Sequence, residues 1–100
     1  MGKVRLKVPP WIASMLNTQG SDWSILEMDI GEVTTIETLL AEIAINNARF
    51  RKAVFDPDSR QVNRLMNIIL NDRLLQFSEV TETELNDGDT LLLLPIYAGG

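Results

Sequence analysis

The sequence predicts an α+β domain: a mixed sheet of four to five strands, one main helix packed on one face of it, and a flexible C-terminal tail. Three observations predict this. Residues 3–8 and 26–30 alternate polar and aliphatic side chains, the period of a half-buried strand. Residues 34–43 carry a capping signal followed by apolar residues at helical spacing. Residues 90–94 form a short run without polar alternation, as expected of a central strand buried on both faces.

In chain order, Lys3, Arg5 and Lys7 alternate with Val4, Leu6 and Val8, so the aliphatic side chains share one strand face. Pro9-Pro10 ends that strand, since proline cannot donate to a ladder. Residues 11–24 include Asn17, Gly20 and Ser21 and are expected to form a long loop, with Trp11 and Trp23 as its buried anchors. Leu26, Met28 and Ile30 mark a second strand, closed by Gly31. Thr34 and Glu37 fit a capping box, each side chain satisfying an amide left free by the first helical turn. Ile36, Leu39, Leu40 and Ile43 then define an amphipathic helix of about three turns that fades near Asn46-Asn47.

A second, short helical piece is expected over 48–54, with Phe50 and Val54 on one face, and Asp56-Pro57-Asp58-Ser59 ends it. Strands follow over 66–70 and 74–77, separated by the turn residues Asn71-Asp72. Residues 78–84 are polar and acidic, with Leu85 as an apolar anchor, and Asn86-Asp87-Gly88-Asp89 forms a turn in which glycine takes the positive φ. The leucines at 91 to 94 are all assigned to the core. The helix supplies the crossover that lets the first and last strands pair in parallel. That arrangement is the β-grasp, or ubiquitin-like, fold, with residues 1–95 as the folded domain and 96–100 as its tail.

Composition narrows the function. One hundred residues support a single modest core. Without cysteine or histidine the chain has no disulfide, no Cys/His zinc site and no Ser-His-Asp or Cys-His nucleophile. The 14 acidic residues lack EF-hand spacing, no glycine-rich phosphate loop accompanies them, and no metal is expected. A net charge of −5 is the wrong sign for a nucleic-acid partner. No membrane partner is expected either, because the longest apolar run is four leucines ending at Pro95. The first residues lack the apolar stretch of a cleaved signal, so cytoplasmic residence is the expectation.

The last residues, Pro95-Ile96-Tyr97-Ala98-Gly99-Gly100, carry the functional signal. Five residues beyond Pro95 span about 16 to 18 Å when extended, enough to deliver the chain end into another protein. Gly99 and Gly100 have no Cβ and pass a constriction closed to other residues. The terminal carboxylate, ionised at neutral pH, is a poor electrophile and needs activation. Once it is adenylated by a partner, sulfur can attack the acyl group and leave a thiocarboxylate. The catalytic groups would then sit in the partner.

The tail pattern at Leu94, Pro95, Ala98, Gly99 and Gly100, the Asn86-Asp87-Gly88-Asp89 turn and the strand Asn67-Ile68-Ile69-Leu70-Asn71 resemble the MoaD/ThiS family of ubiquitin-like sulfur carriers. Asp56-Pro57-Asp58-Ser59 and residues 64–72 look closest to the branch serving cysteine biosynthesis. Tyr97 departs from the small or branched residue common in the family. The resemblance implies adenylation and thiocarboxylation at Gly100, threading through Gly99 and Ala98, and partner contact at Tyr97 and Ile96. It also implies no bound cofactor. ATP and Mg²⁺ are used by a ubiquitin-activating-type adenylyltransferase, and a biosynthetic enzyme of the cysteine, molybdopterin or thiamine type accepts the sulfur. The chain is then a protein substrate, not an enzyme.

Alternatives share the tail. A protein modifier would be joined through Gly100 to lysines of targets, and a β-grasp interaction module would tolerate loss of Gly99 and Gly100. Two charge runs remain. Asp72, Glu79, Glu82, Glu84, Asp87 and Asp89 form either a solvated face or a patch steering the chain toward a basic collar on the activating enzyme. Arg49, Arg51, Lys52, Arg60 and Arg64 form either salt-laced surface or a second recognition site.

Overall fold

A computed structural model describes residues 2–16, 23–32 and 34–96. The elements are β1 (Gly2–Val8), α1 (Pro10–Met15), β2 (Ser24–Ile30), α2 (Ile36–Ile45), α3 (Ala48–Ala53), β3 (Phe55–Asp56), β4 (Gln61–Val62), β5 (Met66–Leu70), β6 (Arg73–Leu75), α4 (Phe77–Val80) and β7 (Thr90–Pro95). Five strands form one mixed sheet in the order β2-β1-β7-β5-β6, and β3 and β4 form a separate small hairpin. The β1 and β7 strands are parallel, with Leu6 opposite Leu91, while the other pairings of the sheet are antiparallel. This is the β-grasp arrangement, with β7 central as its sequence predicts.

Alternation puts Val4, Leu6, Val8, Leu91, Leu93, Met66 and Ile68 on one face, where they join Ile36, Leu39 and Leu40 of α2 and Phe50 of α3 in a single buried cluster. The α2 helix starts one residue later than the capping box implies. Its N-cap is Thr35, whose hydroxyl accepts from the Thr38 amide at 3.2 Å, while the Thr34 hydroxyl accepts from the Gly31 amide at 3.0 Å. Two adjacent threonines can both cap, and the Thr34 backbone is engaged elsewhere, its carbonyl accepting from Leu85.

Four expectations need correction. Residues 10–15 are helical, because Pro10 occupies the first helical position, where its missing N–H costs nothing, and the amides of Ile12 and Ala13 close on the Pro9 carbonyl. Ile12 and Ala13 are buried, whereas Trp11 and Trp23 are 37% and 40% exposed and are not buried anchors. The strand expected over 74–77 is confined to Arg73–Leu75, and Phe77 opens α4, where Glu79 accepts from the Gln76 amide at 3.0 Å. The last strand is not apolar because it is buried on both sides. Leu91 and Leu93 are fully buried, but Leu92 and Leu94 are only half-buried, on the face that no helix covers among the described residues.

The short helix, both turns and the Leu85 anchor are present as expected. Asn71 and Asp72 have φ of 48° and 70° and Gly88 has φ of 89°, the left-handed region that asparagine, aspartate and glycine tolerate best. No helix is long and apolar enough to cross a membrane among the described residues.

Candidate functional site at the root of the C-terminal segment

The site begins where β7 leaves the sheet. Pro95 is buried opposite Met66, and the Ile96 amide donates to the Leu65 carbonyl at 2.7 Å. Leu65 itself is held by Asn63, whose side-chain oxygen accepts from the Leu65 amide at 2.8 Å and whose side-chain nitrogen donates to the Lys52 carbonyl at 3.2 Å. The Asn63 amide donates to the Val54 carbonyl and its carbonyl accepts from Met66. One asparagine therefore ties α3, β5 and the root of the tail together. Sequence reasoning passed over Asn63, since a single asparagine before a strand has no distinguishing pattern.

Ile96 is 45% exposed and lies where a partner can reach it. Tyr97, Ala98, Gly99 and Gly100, the other residues assigned to the site, lie outside the described residues. Among the described residues no group of three or more carboxylates converges to hold a metal ion.

The opposite end of β7 is built by acids with structural tasks. Asp87 accepts from the Lys3 amide at 2.8 Å. Asp89 accepts from the Asn86 amide at 2.7 Å and from the Asn71 side chain at 2.9 Å, and Asn71 accepts from the Thr90 amide at 2.9 Å. The β7 strand is six residues long, so Thr90 at this end lies about 17 Å from Pro95 at strand rise. Asp72, Asp87 and Asp89 therefore stand at the far end of β7 from the tail root, and Asp87 and Asp89 tie the turns there to β1 and β5. Glu79, a fourth acid of the run, is paired with Arg73 at 3.1 Å. Its carboxyl is held below its ordinary pKa by the Gln76 amide first and the Arg73 guanidinium second.

The basic run lies instead at the tail's end of the sheet, on α3, the β3–β4 hairpin and the residue before Leu65. Arg51 pairs with Asp58 at 3.7 Å at the surface, and the exposed Arg60 pairs at 3.5 Å with Glu37, whose side chain is largely covered. Residues 49–64 hold five basic and two acidic side chains, so the net charge of −5 divides into +3 here and −8 elsewhere.

The uncovered face of the sheet carries a second feature. The register aligns Ile25, Lys7, Leu92, Ile69 and Leu74 in one row across all five strands. A depression of about 260 Å³ lies beside it, lined by Trp23, Lys7, Leu92 and Leu94.

Comparison with known proteins agrees with this geometry. The model of the ThiS family matches residues 18–100. The sulfur carrier protein CysO of Mycobacterium tuberculosis is 31% identical over 67 residues, covering 66% of this chain and 72% of that protein. The small archaeal modifier protein SAMP1 of Haloferax volcanii shares the fold at a TM-score of 0.71 and 18% identity, over 99% of this chain and 100% of that one. A chain of the Amycolatopsis orientalis BexX/CysO complex does so at a TM-score of 0.69 and 23% identity, over 97% of this chain and 99% of that one.

Proposed function

The chain belongs to the ThiS family of ubiquitin-like sulfur carriers, and from that premise we propose that the carboxyl of Gly100 is its sulfur-carrying group. Members of the family are small protein substrates and not enzymes. In the proposed cycle the Gly100 carboxylate attacks the α-phosphate of ATP, held with Mg²⁺ in a ubiquitin-activating-type enzyme, and pyrophosphate leaves. Hydrosulfide then attacks the acyl carbon, the C–S bond forms, AMP departs with the bonding pair, and the S–H proton is released to solvent. The resulting thiocarboxylate donates its sulfur to a biosynthetic acceptor in the cytoplasm.

The observation that supports this most is the position of Ile96. The central strand, anchored through β1 and β5, hands the chain to the surface at one hydrogen-bonded point, which supports a reading in which residues 96–100 serve as the tail and residues 1–95 as the domain that presents it. Glycine at 99 and 100 suits a narrow channel, with Ala98 threading behind and Ile96 and Tyr97 in contact with the partner. Likeness to the CysO carriers favours a cysteine-biosynthetic acceptor over a molybdopterin or thiamine one. A cysteine-synthase-like gene beside this one supports that choice, whereas a large molybdopterin synthase subunit there opposes it.

The test is intact mass after incubation with ATP, the activating enzyme and a sulfide source. Gain of about 16 Da on the C-terminal peptide is expected, from oxygen replaced by sulfur. Gly100→Ala is expected to fold normally and charge poorly. A second reading, conjugation to target lysines, draws on the fold shared with the small archaeal modifier protein. Target-sized adducts in the same experiment favour it.

A further inference from the structure

Beside the tail root, between the β3–β4 hairpin and α4, lies a groove of about 300 Å³. Phe55, Val62, Phe77 and Val80 give it an apolar lining, Arg60 and Arg64 stand at it, and no carboxylate lines it. Three features mark it as more than an incidental hollow. Phe77, one of its lining residues, is 46% exposed. Arg60 sits at φ 58°, a left-handed conformation that asparagine or glycine would hold at lower cost, so arginine is placed there at the expense of the backbone. Arg64 has no ion pair among the described residues, and it also lines the polar depression on the other side of the hairpin with Arg51 and Lys52.

Arg64 directly precedes Leu65, the residue whose carbonyl holds Ile96. A protein that takes in the C-terminal segment therefore brings the mouth of its channel up to a surface of charge +3 on a chain that is otherwise −8. We propose that this groove docks an acidic surface of the activating enzyme, bearing an aromatic or aliphatic anchor for the Phe77 end, beside the channel that receives the tail. The proposal rests on the carrier reading above and specifies the chemistry of its partner. A protein surface fits better than a small anion. The groove is open, its floor is apolar, and the Arg60 side chain is 77% exposed rather than enclosed around a phosphate.

The experiment is ATP–pyrophosphate exchange by the ubiquitin-activating-type enzyme of the same organism, with this chain as the varied substrate. Arg64→Glu is expected to raise KM about tenfold at low salt with kcat unchanged, and the difference should shrink in about 0.5 M salt. Phe77→Ala should raise KM at both salt concentrations, and Arg64→Lys should restore most of the loss. Thermal melts of the variants guard against misfolding, and both substituted side chains are exposed. An unchanged KM in Arg64→Glu and Phe77→Ala overturns the groove while leaving the carrier reading intact. Absence of exchange with the wild-type chain overturns the carrier reading and this one with it. Saturable binding of inorganic phosphate by the isolated protein, seen at the amides of Gln61 and Thr81, would assign the groove to a small anion instead.

Discussion

Leu93 on β7 stands beside Ile68 on β5, which stands beside Leu75 on β6, and this row is 0 to 4% exposed within the helix-covered core. One residue along the same strands, Leu92, Ile69 and Leu74 form a row with Lys7 and Ile25 on the opposite face, where Leu74 and Ile25 are each 59% exposed. The two rows are nearly alike in side-chain chemistry, and among the described residues only one of them is covered by helices. Apolar residues placed in register on an open face bury less area than those of the covered row and contribute correspondingly less to folding. Lys7 on β1 places one charge in the middle of that row.

The widest separation between the rows is expected in stability. Leu93→Ala should cost about 2 to 5 kcal/mol, because it leaves a cavity in a packed core. Leu92→Ala should cost less than about 1.5 kcal/mol, since its side chain is already half in water. Urea denaturation of both variants checks this, and equal losses would mean that the open face is covered in solution. Next in size, Asn63→Ala should cost about 1 to 3 kcal/mol, leaving the Leu65 amide and Lys52 carbonyl without their partner. Hydrogen exchange at Ile96 should rise in the same variant, a local effect that neither leucine variant shares.

The comparison also explains how much of the molecule was legible in the sequence. Strand alternation, the α2 spacing and the turns are local signals, and they located five of the main elements. Four consecutive leucines cannot report which of two faces is covered, because coverage depends on where the helix lands, and Leu92 was misassigned to the core for that reason. Pro10 was read as a stop although proline also starts helices, and the six-residue α1 carries too few apolar positions to show its period. The Gly-Gly signal stands out because it is a local motif. Asn63 and the gathering of Arg60 and Arg64 near the tail root depend on contacts distant in sequence, which no periodicity encodes.

A smaller effect tests how firmly the covered face is roofed. Thr35→Ala removes the hydroxyl that accepts from the Thr38 amide at the start of α2 and should cost about 1 kcal/mol. In the carrier reading, charging of the folded protein should be unaffected, since the tail root and the groove beside it are untouched. A loss of charging beyond the loss of folded protein would mean that the roof of the covered face takes part in activation as well as in stability.

The smallest expected effect is at α4, which closes the edge of the covered face beside β6. Glu79 accepts from the Gln76 amide and meets Arg73, and both interactions favour its charged form, so its folded pKa lies below its unfolded value. The sign follows from linkage. A depressed carboxyl stabilises the fold at pH above its unfolded pKa, and the contribution disappears as pH falls through the folded value. Glu79→Gln should therefore be slightly less stable than the wild type near neutrality, and the two melting curves should converge under acid. Because Arg73 follows Asn71 and Asp72 at the start of β6, on the edge of the sheet, salt should narrow the neutral-pH gap as well. A gap that persists in acid would assign the residue's contribution to packing and remove the ion pair from the account of how this edge is held.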